Sequence, residues 1–330
     1  MVAPQAGRLA DLGAALDAEL DPPWSVLPER RTAPLPVELH GQRLDKAVVA
    51  MAGEFSRSHL QGLIERGHAS VDGVVVTTPS RKVLAGQAIG IELVPTAESR
   101  AFRAERLPLS IVYEDAHVLV VDKRAGMVVH PAAGNWSGTL LNALLAHHPG
   151  AAALPRAGIV HRLDKDTSGL MVVGKDLPAV TALVRAIAAR EVRREYLAIA
   201  HGEVGAGEFS IDAAIGRDPQ ARIKMAIVAS GKPARTDVRV IARADGYSAL
   251  HCRLHTGRTH QIRVHLAARG HPLVADVLYG GRSALGLARQ ALHATRLAFA
   301  HPLTGDPLAF EAPLPADLAS AWHHVTGSSG

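Results

Sequence analysis

The spacing of apolar positions changes several times along the chain, and the changes mark out its parts. Leu9, Leu12, Leu16 and Leu20 recur at the three-to-four spacing of one short amphipathic helix. Pro22, Pro23, Pro28, Pro34 and Pro36 then break any continuation, so residues 1–35 are expected to form a mobile tail. From 36 to 96 the pattern predicts a small α/β unit. It has a helix over 43–51 with a Leu/Val stripe and a second over 57–66, capped by Ser56 and ending at Gly67. Two short strands over 69–76 flank Asp72-Gly73, the strongest short hairpin signal, and further strands are expected at 81–84 and 88–94. Residues 97–107 are polar and without period, and read as a linker.

A larger domain is expected over 108–318. Apolar runs predict strands at 111–113, 117–121, 127–129, 196–200, 234–241 and 247–254. Helices are predicted at 138–147, after Ser137, and at 176–190 with Asp176 as cap. Near the centre, Gly158-Ile159-Val160 and Leu170-Met171-Val172-Val173 read as two buried strands around a polar loop. Thr259 is placed to cap a helix that carries Gln261, Arg263 and His265 and ends near Gly270, and residues 319–330 are expected to be a tail. Strands with scattered helices, and no regular βαβ alternation, argue an α+β fold with a mainly antiparallel mixed sheet flanked by helices and loops.

Composition narrows the function. Hydrophobic residues make up 48% of the 330, which fits a globular chain of two domains. Lys and Arg exceed Asp and Glu by 36 to 31, a mild surplus compatible with a polyanionic partner. A single cysteine, Cys252, excludes a disulfide framework or a thiolate metal cluster. Arg8, Asp11, Asp17 and Glu19 interrupt any signal-peptide core, and no apolar run is long enough to span a membrane. A soluble, cytoplasmic protein without membrane partners is expected. No Gly-rich phosphate loop is present, so nothing points to a nucleotide triphosphate or redox cofactor.

Two stretches concentrate candidate chemistry. The first is His161-Arg162-Leu163-Asp164-Lys165-Asp166-Thr167-Ser168-Gly169, polar between two core strands. On spacing alone a solvated ion-pair turn is the ordinary reading, but a loop so held can also fix a carboxylate in a partly dry cleft. The second runs from Gly246 to Ala275, with four arginines, five histidines and no acid. Such a stretch looks like a phosphate-facing wall. His251, His255, His260 and His265 suggest a metal site as a rival, but no acid lies nearby in sequence, so no metal is expected.

The first stretch resembles the catalytic signature of the pseudouridine synthases, in the family typified by ribosomal enzymes A and D: His-Arg-Leu-Asp, two variable residues, then Thr-Ser-Gly or Thr-Thr-Gly. All nine positions match. Val121-Asp122-Lys123-Arg124-Ala125-Gly126 to His130-Pro131 is similar to the family's Asn-Lys-Pro-x-Gly-x-x-Val-His-Pro run, departing at Arg124. Arg193-Arg194-Glu195-Tyr196-Leu197-Ala198 and His255-Thr256-Gly257-Arg258-Thr259-His260-Gln261-Ile262-Arg263 fit two further motifs, and Ala275-Asp276-Val277-Leu278-Tyr279-Gly280-Gly281 departs slightly from Gly-Asp-Pro-x-Tyr-Gly-Gly. Residues 36–96 resemble the small RNA-binding module first seen in a ribosomal small-subunit protein.

The resemblance implies isomerisation of uridine to pseudouridine in large-subunit ribosomal RNA by a cofactor-free monomer. Asp164 would be its catalytic carboxylate, as covalent nucleophile or as base toward the sugar. Arg263 would pair with Asp164 and keep it ionised, and Tyr196 would pack against the extruded base. Arg162 would fill space or meet phosphates freed by flipping, and His260 and Gln261 would also meet substrate. Arg258 with Arg43, Lys46, Arg57, Arg66 and Arg81 are candidate RNA contacts, although the module's seven basic residues are balanced by seven acids up to Arg100. Action on transfer RNA or another ribosomal site, and a non-catalytic assembly factor, stay open as alternatives.

Overall fold

The computed structural model describes residues 29–53, 57–93, 101–132, 134–205, 207–221 and 223–327. They belong to two compact units that divide between Arg100 and Ala101.

The first unit holds β1 (Glu29–Pro34), α1 (Leu44–Met51), α2 (Arg57–Glu65), β2 (Ala69–Val71), β3 (Val74–Val75) and β4 (Ala88–Leu93). The strands form an antiparallel sheet in the order β1-β4-β2-β3. Leu44, Ala47 and Val48 recur on one face of α1, and Leu60, Leu63 and Ile64 on one face of α2. Both faces close over Val71, Ile89 and Ile91 of the sheet. Asp72 and Gly73 take positive φ of 52° and 80°, the turn this dipeptide favours between β2 and β3. The leucine repeat over 9–20 and the expected cap Ser56 lie outside the described residues. Two expectations are corrected. Residues 29–34 are an edge strand paired with β4 rather than tail. Residues 81–84 make only one bridge, Lys82 to Arg43, rather than a strand.

The second unit begins with β5 (Ser110–Glu114), β6 (Val118–Lys123), α3 (Leu140–His147), β7 (Ser168–Gly174), α4 (Leu177–Ala188) and β8 (Arg193–His201). It continues with β9 (Glu208–Asp212), β10 (Ile215–Arg217), β11 (Met225–Ile227), β12 (Arg235–Ala244) and β13 (Tyr247–Leu254). It ends with α5 (Gln261–Ala268), β14 (Leu292–Ala300), β15 (Pro307–Glu311) and α6 (Ala316–Thr326). One large sheet runs β5-β6-β7-β14-β8-β13-β12-β9, with β15 beside β14 and β10-β11 as a separate hairpin. Among the described residues β7 and β14 form its one parallel pair, so the sheet is mixed and mainly antiparallel, as expected.

Alternation along the strands sorts side chains onto two covered faces. Leu119 and Val121 of β6, Met171 and Val173 of β7, Tyr196 and Ala198 of β8, and Leu250 and Cys252 of β13 share a core with Leu141 and Leu144 of α3 and Ile262 of α5. Val118, Val120, Leu170 and Val172 point the other way, against Leu183 near α4's end. Ile199 and Ala249, also on that side, meet Leu318, Ala321 and Trp322 of α6. Each large aliphatic side chain buried this way contributes roughly 1.5–3 kcal/mol of transfer free energy.

Several boundaries differ from expectation. Residues 101–107 belong to this unit: Ala101 is buried, and Asn142 Nδ2 donates to the carbonyls of Ala101 and Arg103. That asparagine also closes a capping box with Thr139, which caps α3 at Leu140, two residues later than the expected start at 138. Residues 127–129 are not a strand; the Val128 and Val129 carbonyls accept the first N–H groups of α3. Residues 319–326 are helix, anchored by buried Trp322. Ile159 makes a single bridge to Val173, so only the outgoing side of the polar loop is a regular strand. Among the described residues no helix is long and apolar enough to cross a membrane.

The start of β7 admits only glycine. Gly169 has φ +114°, and a Cβ there would sit 2.2 Å from the Ala294 carbonyl oxygen of β14. Gly169→Ala is therefore expected to lower stability by roughly 3 kcal/mol, because backbone rather than a flexible side chain must shift. Denaturant unfolding of the two proteins measures it; a difference under about 1 kcal/mol would show that the two strands part easily.

Candidate active site

The loop before β7 is held from three sides. His161 Nε2 accepts the Val172 N–H at 3.0 Å, folding the loop's first residue back onto the strand that leaves it. Beneath it the buried Lys123 ammonium donates to the carbonyls of Arg124, Met127 and Lys165 at 2.9–3.0 Å, using its three N–H bonds. Burial pushes this lysine down to about 8, against the pull of Asp166 and Asp164. From the far side Arg289 donates to the Asp166 carbonyl at 3.0 Å and pairs with Asp317 at the start of α6. Ser168 Oγ meets His293 of β14 at 2.9 Å. The Thr-Ser-Gly end of the loop is therefore built for fixing the backbone.

Asp164 stands in this frame with its side chain 16% exposed. Its Oδ2 accepts Arg263 Nη1 at 3.0 Å. The rest of that guanidinium is taken by Asp276, 1% exposed, which accepts Nε and Nη2 at 2.8 Å each. Burial opposes the charge on Arg263, but Asp276 and then Asp164 hold it above its ordinary value. The Arg263 guanidinium also lies 5.0 Å over the Tyr279 ring. Tyr279 accepts the Met225 N–H at 3.0 Å and bonds His260 Nδ1 at 2.7 Å. His260 Nε2 is then 3.8 Å from Asp164 Oδ1, the oxygen Arg263 leaves free.

A cleft of about 410 Å³ opens over this group. Asp164 is the one carboxylate among its lining residues, against Arg156, Arg162, Arg190, Arg194, Arg258 and Arg263. Tyr196, 5% exposed, enters from β8, and burial pushes its phenol up to about 12, so it stays un-ionised.

The structure brings Asp164, Arg162, Tyr196, Arg258, His260, Gln261 and Arg263 to this cleft. Gln261 is committed inward: its amide donates to the Arg235 carbonyl and Thr236 Oγ1, and accepts from Thr256 Oγ1 and the Arg258 N–H. Those bonds start α5 in place of the expected Thr259 cap, with His260 in a left-handed conformation at φ 56°. Arg258 Nε donates to the Pro233 carbonyl. In the other unit, Arg43 and Arg57 both pair with the fully buried Asp45, Lys46 Nζ donates to Gln42, and Arg66 and Arg81 are exposed. The four histidines of the rival metal reading, His251, His255, His260 and His265, take separate partners: Glu195, Asp237, Tyr279 and Thr236.

Sequence reasoning assigned no role to Lys123, Asp276 or Tyr279. One signal for Asp276 was present: it is the first acid after the acid-free stretch that ends at Ala275.

Burial and the nearby Arg194 charge push the His161 imidazole down to about 3. Below pH 6.5 the unfolded chain therefore takes up a proton that the folded chain refuses until about pH 3. Stability should fall as pH drops through this window, and His161→Gln should flatten that slope. Urea titrations from pH 7 to 4 measure it; parallel curves for the two proteins would refute the assignment.

Residues 117–268 match the RNA pseudouridylate synthase family, and residues 42–89 match the S4 domain. A ribosomal large subunit pseudouridine synthase D from Neisseria meningitidis serogroup B is 50% identical over 297 residues, covering 86% of this chain and 79% of that protein. The protein of the same name from Nitrosomonas europaea is 48% identical over 294 residues, covering 87% and 85%. Among solved structures, human RNA Pseudouridylate Synthase Domain Containing 1 superposes with a TM-score of 0.53 at 30% identity, over 69% of this chain and 90% of that one. Identity this high, sustained over most of both chains, means that the chain belongs to the RNA pseudouridine synthases and carries an S4 domain ahead of the catalytic one.

Proposed function

We propose that this enzyme converts uridine to pseudouridine in large-subunit ribosomal RNA, with Asp164 as its catalytic carboxylate. The observation that carries the reading is the division of Asp164 between two environments: Oδ2 is tied to Arg263, while Oδ1 is open to a cleft whose other charges are arginines. A carboxylate so placed is held through one oxygen and keeps the other for the sugar. The naming of relatives that are 46–50% identical as large-subunit synthases supports the choice of RNA.

In this reaction the N1–C1′ bond breaks, the detached uracil turns, C5 bonds to C1′, and the C5 hydrogen leaves as a proton. Oδ1 of Asp164 either attacks C1′ or takes the 2′ proton, and either route uses the same open oxygen. No electrons leave the substrate, so the chemistry calls for no redox carrier. Tyr196 offers the extruded base a stacking surface, and its un-ionised phenol adds no charge against the ring. Arg162, exposed on the cleft, suits the space or phosphates released by flipping, and His260 stands beside the reacting oxygen. Gln261 shapes the wall that presents Arg258. In the S4 domain Asp45 accepts from Arg43, Arg57 and Gln61. That arrangement fixes two of the five candidate RNA contacts, the others being Lys46, Arg66 and Arg81. The chain is read as a monomer working in the cytoplasm, where its RNA is made.

Tritium release from large-subunit RNA labelled at uridine C5 tests the reaction, because C5 must lose its hydrogen. Release is expected with the intact enzyme and should fall by about 10³-fold or more in Asp164→Ala. Release from transfer RNA alone would move the substrate, and release surviving in the variant would remove Asp164 from its role.

Asp276→Asn swaps a bidentate acceptor for an amide that turns two N–H groups toward Arg263. Turnover is expected to fall roughly 10- to 100-fold, the scale for losing a group that orients a reacting one, with KM for RNA little changed. A loss confined to KM would mean that Asp276 serves RNA binding instead.

A further inference from the structure

We propose that Arg194 is the seat for a phosphodiester of the bound RNA strand, set beside Tyr196; the proposal rests on the reading of this cleft as an RNA site. Alternation on β8 gives the geometry. Arg193 and Glu195 turn to one side of the sheet and pair with each other, while Arg194 and Tyr196 turn to the cleft side. Arg194 is 6% exposed, and its buried Nε has no hydrogen-bond partner. Among the described residues its guanidinium forms no ion pair.

A buried guanidinium without a counter-charge is strongly unfavourable unless something outside the fold completes it. Nothing nearby does. The groups Arg194 acts on are neutral: burial and then Arg194 push the His161 imidazole down, and at Tyr196 burial raises the phenol against the opposing pull of Arg194. The cleft's one carboxylate, Asp164, is already engaged by Arg263, which has Asp276 as well. His130, on the same cleft, also buries an Nε2 with no partner. Gly257 leaves the guanidinium its place on the cleft wall: a Cβ there would lie 2.7 Å from Arg194 Nη1.

The missing partner is anionic. A uracil carbonyl would satisfy a hydrogen bond but leave the full charge unbalanced, whereas each nucleotide of an RNA strand brings one phosphate. A guanidinium offering Nε and one Nη side by side matches two phosphate oxygens. Arg194 and Tyr196 stand two residues apart, about 7 Å along the strand. That is comparable with the span from a stacked base to its own phosphate.

The test is the salt dependence of binding a large-subunit RNA transcript. It is measured in an Asp164→Ala background so that the RNA is not turned over, with and without Arg194→Met. Losing one contact to a single strand should lower the slope of log Kd against log salt by about 0.7. Arg194→Met should also raise the melting temperature of the free protein, since it removes an unbalanced buried charge. Gly257→Val displaces the Arg194 guanidinium from this seat without removing its charge, and should lower the slope likewise. Should Arg194→Met fail to fold, the slope of Gly257→Val decides. An unchanged slope in the folded variants overturns the proposal. A wild-type enzyme that releases no tritium from any RNA would overturn the parent reading instead.

Discussion

Arg263 is shared between two carboxylates, and the catalytic cleft depends on how it is shared. Asp276 takes two of its N–H groups in a flat, fully buried fork, which fixes the guanidinium plane. The remaining Nη1 is thereby aimed at one oxygen of Asp164. Were Asp164 the sole partner, the arginine could follow it, and the reacting oxygen would have no fixed direction. Two carboxylates on one guanidinium leave the cluster an acidic excess, which suits the role proposed for Asp164. The loop is anchored independently through Lys123, His161 and Arg289, so neither side of the ion pair is left to adjust.

The same device recurs in the smaller unit with the opposite purpose. Asp45 is fully buried at the start of α1 and accepts from Arg43, Arg57 and Gln61, which hold its carboxyl well below the usual range. Here the aspartate is hidden and the arginines remain half exposed, so the charge presented to solvent is positive. In the cleft the arginine is hidden and a carboxylate oxygen is presented. A buried partner of opposite sign selects which half of an ion pair meets the ligand.

Legibility in the sequence followed the range of the forces involved. Asp176 was readable as a cap, and Asp72-Gly73 as a turn, because each satisfies backbone groups within three residues. Strands β6 and β7 were readable because burial on both faces leaves continuous apolar runs. By contrast β9 and β15, for which no strand was expected, alternate exposed positions with half-buried or buried ones and lie at the margins of their pairing. Thr259 has the chemistry of a cap, but the left-handed His260 takes the cap position and the side chain of Gln261 accepts the loop's Arg258 N–H. The tails were misjudged for a related reason: Glu29–Pro34 and Ala316–Thr326 gain order from long-range pairing and from one tryptophan, neither of which has a local signature.

The candidate site divides along the same line. Asp164, Tyr196 and Arg263 were legible through resemblance to a signature, which records what a reaction needs. Lys123, Asp276 and Tyr279 carry no such mark in isolation, because a buried lysine or aspartate is defined by partners tens of residues away. Arg194 was hidden by its neighbours: in Arg193-Arg194-Glu195 the usual inference is that the glutamate balances one arginine and solvent the other. The pleat decides otherwise. Glu195 can serve only the side of the sheet it faces, so Arg193 is paired and Arg194 is carried to the cleft without a counter-charge. Two arginines adjacent in sequence are thus separated by the sheet into a structural residue and one whose balance must come from outside the fold.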